Sequence, residues 1–248
     1  MLGDGGFQYR HMLIYISALS LLVAALACSP GAGHPASGPC ANPLLPTSVG
    51  ATWRYDVSGS MSATFTRSIL SVTASGFTDQ DLYGGSGAVR TGKWTCAAGN
   101  LTRLDLNTGP TAFVDTTRVS MEFQTTDSTG VTLPAQIHPG DSWTQTFSLD
   151  GTQIIHGKNA EAQSDVSMPC TAAGTESVTV PAGTFSATRL DCHISQTITV
   201  TVGDGPAVPV HLTYDTTDWY APQVGWVKST TTGTGINTTV ILASYTIP

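Results

Sequence analysis

The chain has 248 residues, of which only 11% are charged, and its formal net charge is −7. So acidic and cation-poor a chain is excluded as a general nucleic-acid binder, because such proteins neutralise phosphates with Lys and Arg. Broad electrostatic binding to anionic lipid surfaces is excluded for the same reason. The length suffices for one large β domain or two small ones with a proper hydrophobic core.

The first predicted element is an export signal. Arg10 precedes an uncharged, mostly apolar run over residues 13–27. This run is too short to cross a bilayer, which requires about 20 apolar residues, but it is typical of the apolar region of a secretory signal. We therefore predict a signal peptide over residues 1–27 and an exported protein of the bacterial cell envelope.

The end of this signal allows two kinds of processing. Ala25-Leu26-Ala27 fits ordinary A-x-A cleavage, which would leave a secreted soluble protein. Residues 25–28 also resemble the lipobox of bacterial lipoproteins, in which the cysteine, here Cys28, is freed and acylated. Ala25 departs from that resemblance, since a typical lipobox has Leu there. Ser29 follows the cysteine, and the Asp that usually signals inner-membrane retention in two-membraned bacteria is absent.

The number of cysteines favours acylation. Five are present, and modification of Cys28 leaves four that can pair completely, namely Cys40, Cys96, Cys170 and Cys192. Ordinary cleavage would leave an odd thiol in an oxidising compartment. We therefore predict that the membrane is a partner through a lipid on Cys28, in the outer membrane if the host has two membranes.

Residues 28–46 are rich in Pro, Gly, Ala and Ser and are predicted to form a flexible tether. Residues 47–248 are predicted to form an all-β domain, an antiparallel sandwich or open barrel. Its clearest strand is 186–202, where apolar residues occupy even positions and polar residues odd ones. After a turn at 203–206 the pattern resumes, which predicts a long hairpin. Further strands are predicted at 52–57, 118–124, 142–149, 176–180, 226–232 and 240–247. No amphipathic helix is convincing, and 158–168 is the only segment that could form a short one.

A faint internal repeat divides the domain. Gly precedes Trp by three residues at Gly50 and again at Gly140. Trp94 and Trp219 each precede a Gly-containing loop and a further strand. These matches favour a duplication with halves at 47–137 and 138–248, with chance similarity as the alternative.

Three motifs resemble a bacterial family. They lie at 45–55 (LPTSVGATWRY), at 176–185 (ESVTVPAGTF), followed by Leu190, and at 218–228 (DWYAPQVGWVK). Together they are similar to the TapB-like and DUF3108-like exported domains over residues 44–232, although Gln223 replaces a frequent Gly. The resemblance implies an exported antiparallel β fold and supplies no catalytic residues.

The disulfide partners remain open from spacing alone, because four cysteines allow three connectivities. Cys192 faces the core side of its strand, and Cys170 lies upstream of the strand that pairs back on it. We therefore favour Cys170–Cys192 and, for the remaining two, Cys40–Cys96.

No catalytic motif is apparent, since G-x-S-x-G, H-E-x-x-H and C-x-x-C are all absent. We assign no catalytic residue, no metal ligand and no cofactor, and nucleic acid is not expected as a partner. If Val202 pairs with Val208, His193 and Asp215 become diagonal neighbours, which predicts an exposed pair and no catalytic dyad.

The aromatic residues allow two interpretations. They can pack in the core, as large aromatics mostly do, or they can form a platform for a sugar or lipid ligand. The tryptophans concerned are Trp53, Trp94, Trp143, Trp219 and Trp226. Three functions therefore remain, with the first preferred: a lipid-anchored envelope module that binds a partner or acts as a scaffold, a carrier of a lipid or other apolar ligand in a curved sheet, and a hydrolase. Whether such a partner is protein, glycan or apolar ligand is not indicated.

Overall fold

A computed structural model describes residues 38, 40–106, 122–155, 158–203, 205–233 and 235–248. These residues form twelve β-strands, and no helix occurs among them. The strands are β1 (Thr52–Gly59), β2 (Ala63–Val72), β3 (Gly76–Tyr83), β4 (Val89–Ala97), β5 (Asn100–Arg103), β6 (Glu122–Gly130), β7 (Ser142–Ile155), β8 (Lys158–Val180), β9 (Gly183–Val202), β10 (Val208–Ala221), β11 (Gly225–Gly233) and β12 (Ile236–Thr246).

The strands form one antiparallel sheet in the order β5-β4-β3-β2-β1-β12-β11-β10-β9-β8-β7-β6. Its two edges approach each other at β5. There the Leu101 N–H donates to the Leu133 carbonyl over 2.9 Å, and the Thr132 N–H donates to the Leu101 carbonyl over 2.9 Å. The sheet is therefore a nearly closed barrel, which confirms the prediction of an all-β, open-barrel architecture.

Alternation along the strands gives the barrel its interior. In β1 the side chains of Trp53, Tyr55 and Val57 are buried, while their neighbours along the strand are more exposed. Because successive side chains point to opposite faces of a sheet, this period of two buries one face of each strand. The aromatic residues of neighbouring strands then stack inside, as Tyr55 does on Phe65 with ring centroids 4.9 Å apart.

The short helix that the sequence allows at 158–168 does not form. These residues belong to β8, and Ala160, Ala162, Ser164 and Val166 are buried at every second position. Their buried side chains are mostly small, so the hydrophobic alternation is weak in the sequence. The pairing of β8 with both β7 and β9 decides the conformation instead.

An ordered N-terminal segment closes one end of the barrel. The buried Asn42 side chain donates to the carbonyls of Gly99 (2.9 Å) and Pro134 (3.0 Å). The Pro43 carbonyl accepts from the Gln223 N–H, and Leu45 packs into the core. The sequence places the end of the tether at residue 46, whereas residues 40–46 already pack against the domain. The flexible part, which stays a prediction, therefore ends before Cys40.

Two disulfides join the strands, with the pairing that the sequence favours. Cys40 bonds to Cys96 and so attaches the N-terminal segment to β4. Cys170 bonds to Cys192 between β8 and β9. Every cysteine that the structure describes is therefore paired.

The β9–β10 hairpin has a register two residues from the one expected. Val208 pairs with Val200 rather than Val202, so His193 lies directly opposite Asp215. Their side chains are 2.7 Å apart and more than half exposed. The contact expected for this exposed pair is present, but it is a direct cross-strand contact and not a diagonal one.

Several predictions lie outside the described residues: the signal peptide, Cys28 and the first part of the strand expected at 118–124. In the part of the chain that the structure describes, no helix is long and apolar enough to cross a membrane.

Candidate functional site

A cavity of about 120 Å³ lies inside the barrel. Leu45 of the N-terminal segment contributes to its lining, and so do residues from both halves of the sheet. The apolar part of its lining includes Leu106, Val131, Phe147 and Met168. An engineered apolar cavity of ~150 Å³ binds benzene, so this space suits a molecule of similar size.

Four of the five tryptophans line this cavity: Trp53, Trp94, Trp143 and Trp226. Trp219 does not, because it lies on the face of β10 opposite to the cavity-lining Asp218 and Tyr220. Three of the four lining tryptophans are also buried residues of the main core cluster. The two interpretations of the aromatics therefore describe the same side chains, which pack the core and surround the cavity at once.

The indole N–H groups differ in their partners. Trp53 donates to the Val224 carbonyl, Trp143 to the Thr132 carbonyl and Trp226 to a carboxylate oxygen of Asp218. Trp219 donates to Glu176. The Nε1 of Trp94, whose side chain is 7% exposed, has no hydrogen-bond partner. A buried donor left without an acceptor carries a desolvation cost of about 1–3 kcal/mol.

Arg103 is held beside Trp94 at the seam where the sheet nearly closes. Its backbone N–H donates to Thr132 Oγ1, and its carbonyl accepts from Ser128 Oγ and Gln145 Nε2. Its guanidinium carbon lies 5.1 Å from the centre of the Trp94 ring. These bonds hold the backbone of Arg103 at β5, and Arg103 is one of the residues that line the cavity.

The guanidinium of Arg103 is only partly engaged. Its Nε donates to the carbonyl of Asp105 over 2.8 Å and lies 3.7 Å from a carboxylate oxygen of the same residue. Its Nη2 is buried and has no hydrogen-bond partner. Two donors without acceptors, Trp94 Nε1 and Arg103 Nη2, thus belong to neighbouring residues of the cavity wall.

The other cation of the wall, Arg67, is fully engaged. Its Nε and Nη2 donate to the two carboxylate oxygens of Asp81, each over 2.8 Å, and Asp79 lies 3.7 Å from Nε. Burial acts to lower the pKa of Arg67, but the two carboxylates raise it well above its ordinary value. Arg67 therefore remains charged and serves the internal ion cluster of the barrel.

Asp218 adds a third carboxyl group to the interior. Burial raises its pKa above the ordinary 3.8, although hydrogen bonds from Ser229, Trp226 and Thr216 act in the opposite direction. Burial also raises the pKa of the neighbouring Tyr220 hydroxyl, which therefore stays protonated. These groups form a polar side of an otherwise apolar wall.

This arrangement is suited to binding. Ser229 contributes a hydroxyl group to the cavity lining. A serine nucleophile needs a neighbouring base, but the described histidines His138, His193 and His211 are all exposed. Among the residues that the structure describes, no group of His, Cys, Asp and Glu could hold a metal ion. What the cavity provides is an apolar space with two unsatisfied donors at one wall.

Sequence reasoning singled out the lining tryptophans but missed Arg67, Arg103 and Asp218. The available signal was indirect: charged residues inside strands of a chain with so few charges. In β3, Asp79 and Asp81 occupy alternate positions, as inward-facing residues do.

Comparison with known proteins identifies the family. The model of the DUF3108-like family matches residues 90–234, more than half of the chain. The chain belongs to the DUF3108-like family. The matched region of this DUF3108-like protein includes Trp94, Arg103 and Asp218, whereas Trp53 and Arg67 lie before it. No curated protein matches the chain.

Solved structures show the same fold. A Bacteroides fragilis protein described as exported, with a YmcC-like fold, is 17% identical with a TM-score of 0.51 over 82% of this chain and 99% of its own. A Parabacteroides distasonis protein described as a lipoprotein is 16% identical with a TM-score of 0.57 over 83% of this chain and 99% of its own. At these identities the likeness extends to the fold alone.

Proposed function

We propose that this DUF3108-like protein is a lipid-anchored module of the cell envelope whose barrel binds a small, largely apolar ligand. The observation that carries the binding proposal is the cavity, which four tryptophans line and whose wall includes two residues with buried donors that lack acceptors. The cavity volume of about 120 Å³ is close to the ~150 Å³ of an apolar cavity that holds benzene, which supports a small ligand.

Anchoring is supported by the cysteines and by the neighbours in fold. The two disulfides use all four described cysteines, which leaves Cys28 for acylation. One solved neighbour is described as exported and another as a lipoprotein. Both descriptions agree with a signal that ends immediately before Cys28.

The test of anchoring is a pair of single substitutions. Cys28→Ser removes the acceptor of the lipid, so the protein should lose its N-terminal acyl mass and leave the membrane fraction. Ser29→Ala, at the next residue, should keep both properties. Mass spectrometry and detergent partitioning measure the two effects. An unmodified Cys28 in protein from its own envelope would contradict the anchor.

The binding proposal can be tested with a substitution that fills the cavity. Val131 lines the cavity, so Val131→Phe should occupy part of it and abolish binding of an apolar probe such as α-methylstyrene. Val210→Phe is the matched control, because Val210 is 44% exposed and lies outside the lining. Isothermal titration of the purified mature protein measures both. Equal probe binding by the two variants would show that the cavity is not the site.

A further inference from the structure

Two buried donors without acceptors belong to residues of the cavity wall. Trp94 on β4 and Arg103 on β5 are cross-strand partners. The indole Nε1 of the first and the Nη2 of the second are buried without acceptors. The other indole groups that line the cavity donate to Val224, Thr132 and Asp218. The unsatisfied donors are therefore concentrated at one place in the wall.

A bound acceptor would give these donors the partner that they lack. Buried polar groups in folded proteins almost always have a partner, and exceptions require an explanation such as a bound molecule or water. Backbone hydrogen bonds fix Arg103, and the Cys40–Cys96 disulfide lies two residues beyond Trp94 on the same face of β4. The two donors thus stand on a rigid part of the barrel.

The charges around the site favour a neutral oxygen. Two arginines line the cavity, Arg67 and Arg103, and both already have carboxylate partners: Asp79 and Asp81 for the first and Asp105 for the second. The charges of these two arginines and three aspartates sum to −1 when all five groups are ionised. A further anion would therefore enter surroundings without spare positive charge, whereas a carbonyl oxygen can accept hydrogen bonds without adding charge.

The rest of the wall defines the body of the ligand. Phe147, Val131 and Leu106 are apolar and leave a space close to the size of one aromatic ring. We propose that the barrel binds a small neutral molecule with an apolar body and one carbonyl oxygen, and that Trp94 Nε1 and Arg103 Nη2 donate to that oxygen. This inference rests on the proposed binding function and names its ligand class.

Three probes of similar shape test it by titration calorimetry of the purified mature protein. Acetophenone has the neutral carbonyl, α-methylstyrene replaces the oxygen by CH₂, and benzoate is the anion. Trp94→Phe removes the indole donor and keeps an aromatic ring, and Trp219→Phe makes the same change outside the cavity.

The expected result is selective. Trp94→Phe should weaken the binding of acetophenone about tenfold, which is the equivalent of one or two hydrogen bonds. The affinity for α-methylstyrene should change no more than about twofold. Trp219→Phe should leave both affinities unchanged. Benzoate should bind the wild type at least about tenfold more weakly than acetophenone, because it adds an uncompensated buried charge.

Other outcomes separate the two proposals. Equal weakening of acetophenone and α-methylstyrene by Trp94→Phe would overturn the donor site while leaving the apolar cavity as a binding site. Benzoate binding more tightly than acetophenone would overturn the neutral ligand class. If none of the probes bound the wild type, the binding function itself would fail. In wild-type protein the Trp94 indole N–H resonance should move further downfield with acetophenone than with α-methylstyrene, because both rings add a ring-current shift and only the carbonyl adds a hydrogen bond. This comparison tests the site even if the variant does not fold.

Discussion

Two tryptophan–cation pairs in this barrel have the same local construction and different surroundings. Trp94 on β4 faces Arg103 on β5, and Trp219 on β10 faces Lys228 on β11. In each pair the cation lies over the ring, 5.1 Å from its centre in the first and 4.6 Å in the second. Only the first pair lines the cavity.

The difference follows from the position of each tryptophan in its hairpin. Trp94 lies three residues before Ala97, which closes the β4–β5 turn, whereas Trp219 lies two residues before Ala221, which closes the β10–β11 turn. Because faces alternate along a strand, one residue is enough to move a side chain to the other face. Trp94 and Trp219 are therefore aligned in the sequence repeat but lie on opposite faces of the sheet.

The partners of the two indole groups show what this change means. Away from the cavity, the buried Trp219 donates to Glu176 and its hydrogen bonding is complete. On the inside, Trp94 has no acceptor. The tryptophan of the Trp219–Lys228 pair therefore has its hydrogen-bond partner within the protein, whereas that of the Trp94–Arg103 pair keeps a donor that a ligand could use.

The largest effect concerns the two cavity cations. Arg67→Met should lower the free energy of unfolding by about 3–5 kcal/mol, because it leaves Asp79 and Asp81 buried without their partner. Arg103→Met should cost only about 1–2 kcal/mol, since it removes one hydrogen bond and a long ion pair. Urea unfolding measures both. Equal losses would mean that Arg103 is as much a structural group as Arg67.

The next effect concerns the disulfide beside Trp94. Replacing Cys40 and Cys96 together by Ala opens a loop with a sequence separation of 56 residues, at a cost of about 4 kcal/mol in the loop-entropy model. Because this bond holds the N-terminal segment on β4, the Trp94 indole N–H should also exchange faster with solvent. The exchange of Trp219 serves as the control, and an equal acceleration there would show that the loosening is not local.

A smaller effect compares the two tryptophans directly. Trp219→Phe should cost about 1 kcal/mol more than Trp94→Phe, because only Trp219 loses a hydrogen bond and Trp94 loses a donor that was unsatisfied. The change of side-chain size is the same in both variants, so thermal or urea unfolding reports mainly on the indole N–H. A larger cost for Trp94→Phe would indicate a protein partner for its indole.

The smallest effect is a dependence on pH. Since burial raises the pKa of Asp218, the folded protein holds this proton more tightly than the unfolded chain. The resulting stabilisation is present at low pH and is lost as the pH rises through the raised pKa. Asp218→Asn cannot titrate. The unfolding free energy of the wild type minus that of the variant should therefore fall as the pH rises above the ordinary aspartate pKa of 3.8, and a constant or rising difference would contradict the raised pKa.

Much of the sheet was predictable because its strands alternate strongly. The strand expected at 186–202 lies within β9, and the one at 52–57 begins β1. Strands β2 to β5 were not predicted. Their inward positions include charged residues such as Arg67, Asp79 and Asp81, which remove the apolar period on which the prediction depends.

The site was predictable only in part. Large aromatics are visible in a sequence, and four of the five proposed for ligand contact line the cavity. Which indole keeps a free donor depends on contacts between distant parts of the chain, such as the bond from Trp53 to Val224. The closure that clamps Arg103 joins β5 to residues 128–145, and no local pattern specifies it.

The proposed duplication is supported at one of its two matches. Gly50 and Gly140 both adopt positive φ before a strand, and Trp53 and Trp143, three residues later, both line the cavity. Their strands, β1 and β7, are six strands apart in a barrel of twelve. Halves at 47–137 and 138–248 remain a proposal.

The proposed ligand site depends most on the free donors of Trp94 and Arg103. Its most direct test is a crystal structure of the protein grown with acetophenone. We expect the ring against Phe147 and Val131, with the carbonyl oxygen within hydrogen-bond distance of Trp94 Nε1 and Arg103 Nη2. Ordered waters bridging these two donors, with acetophenone absent from the cavity or bound elsewhere, would contradict it.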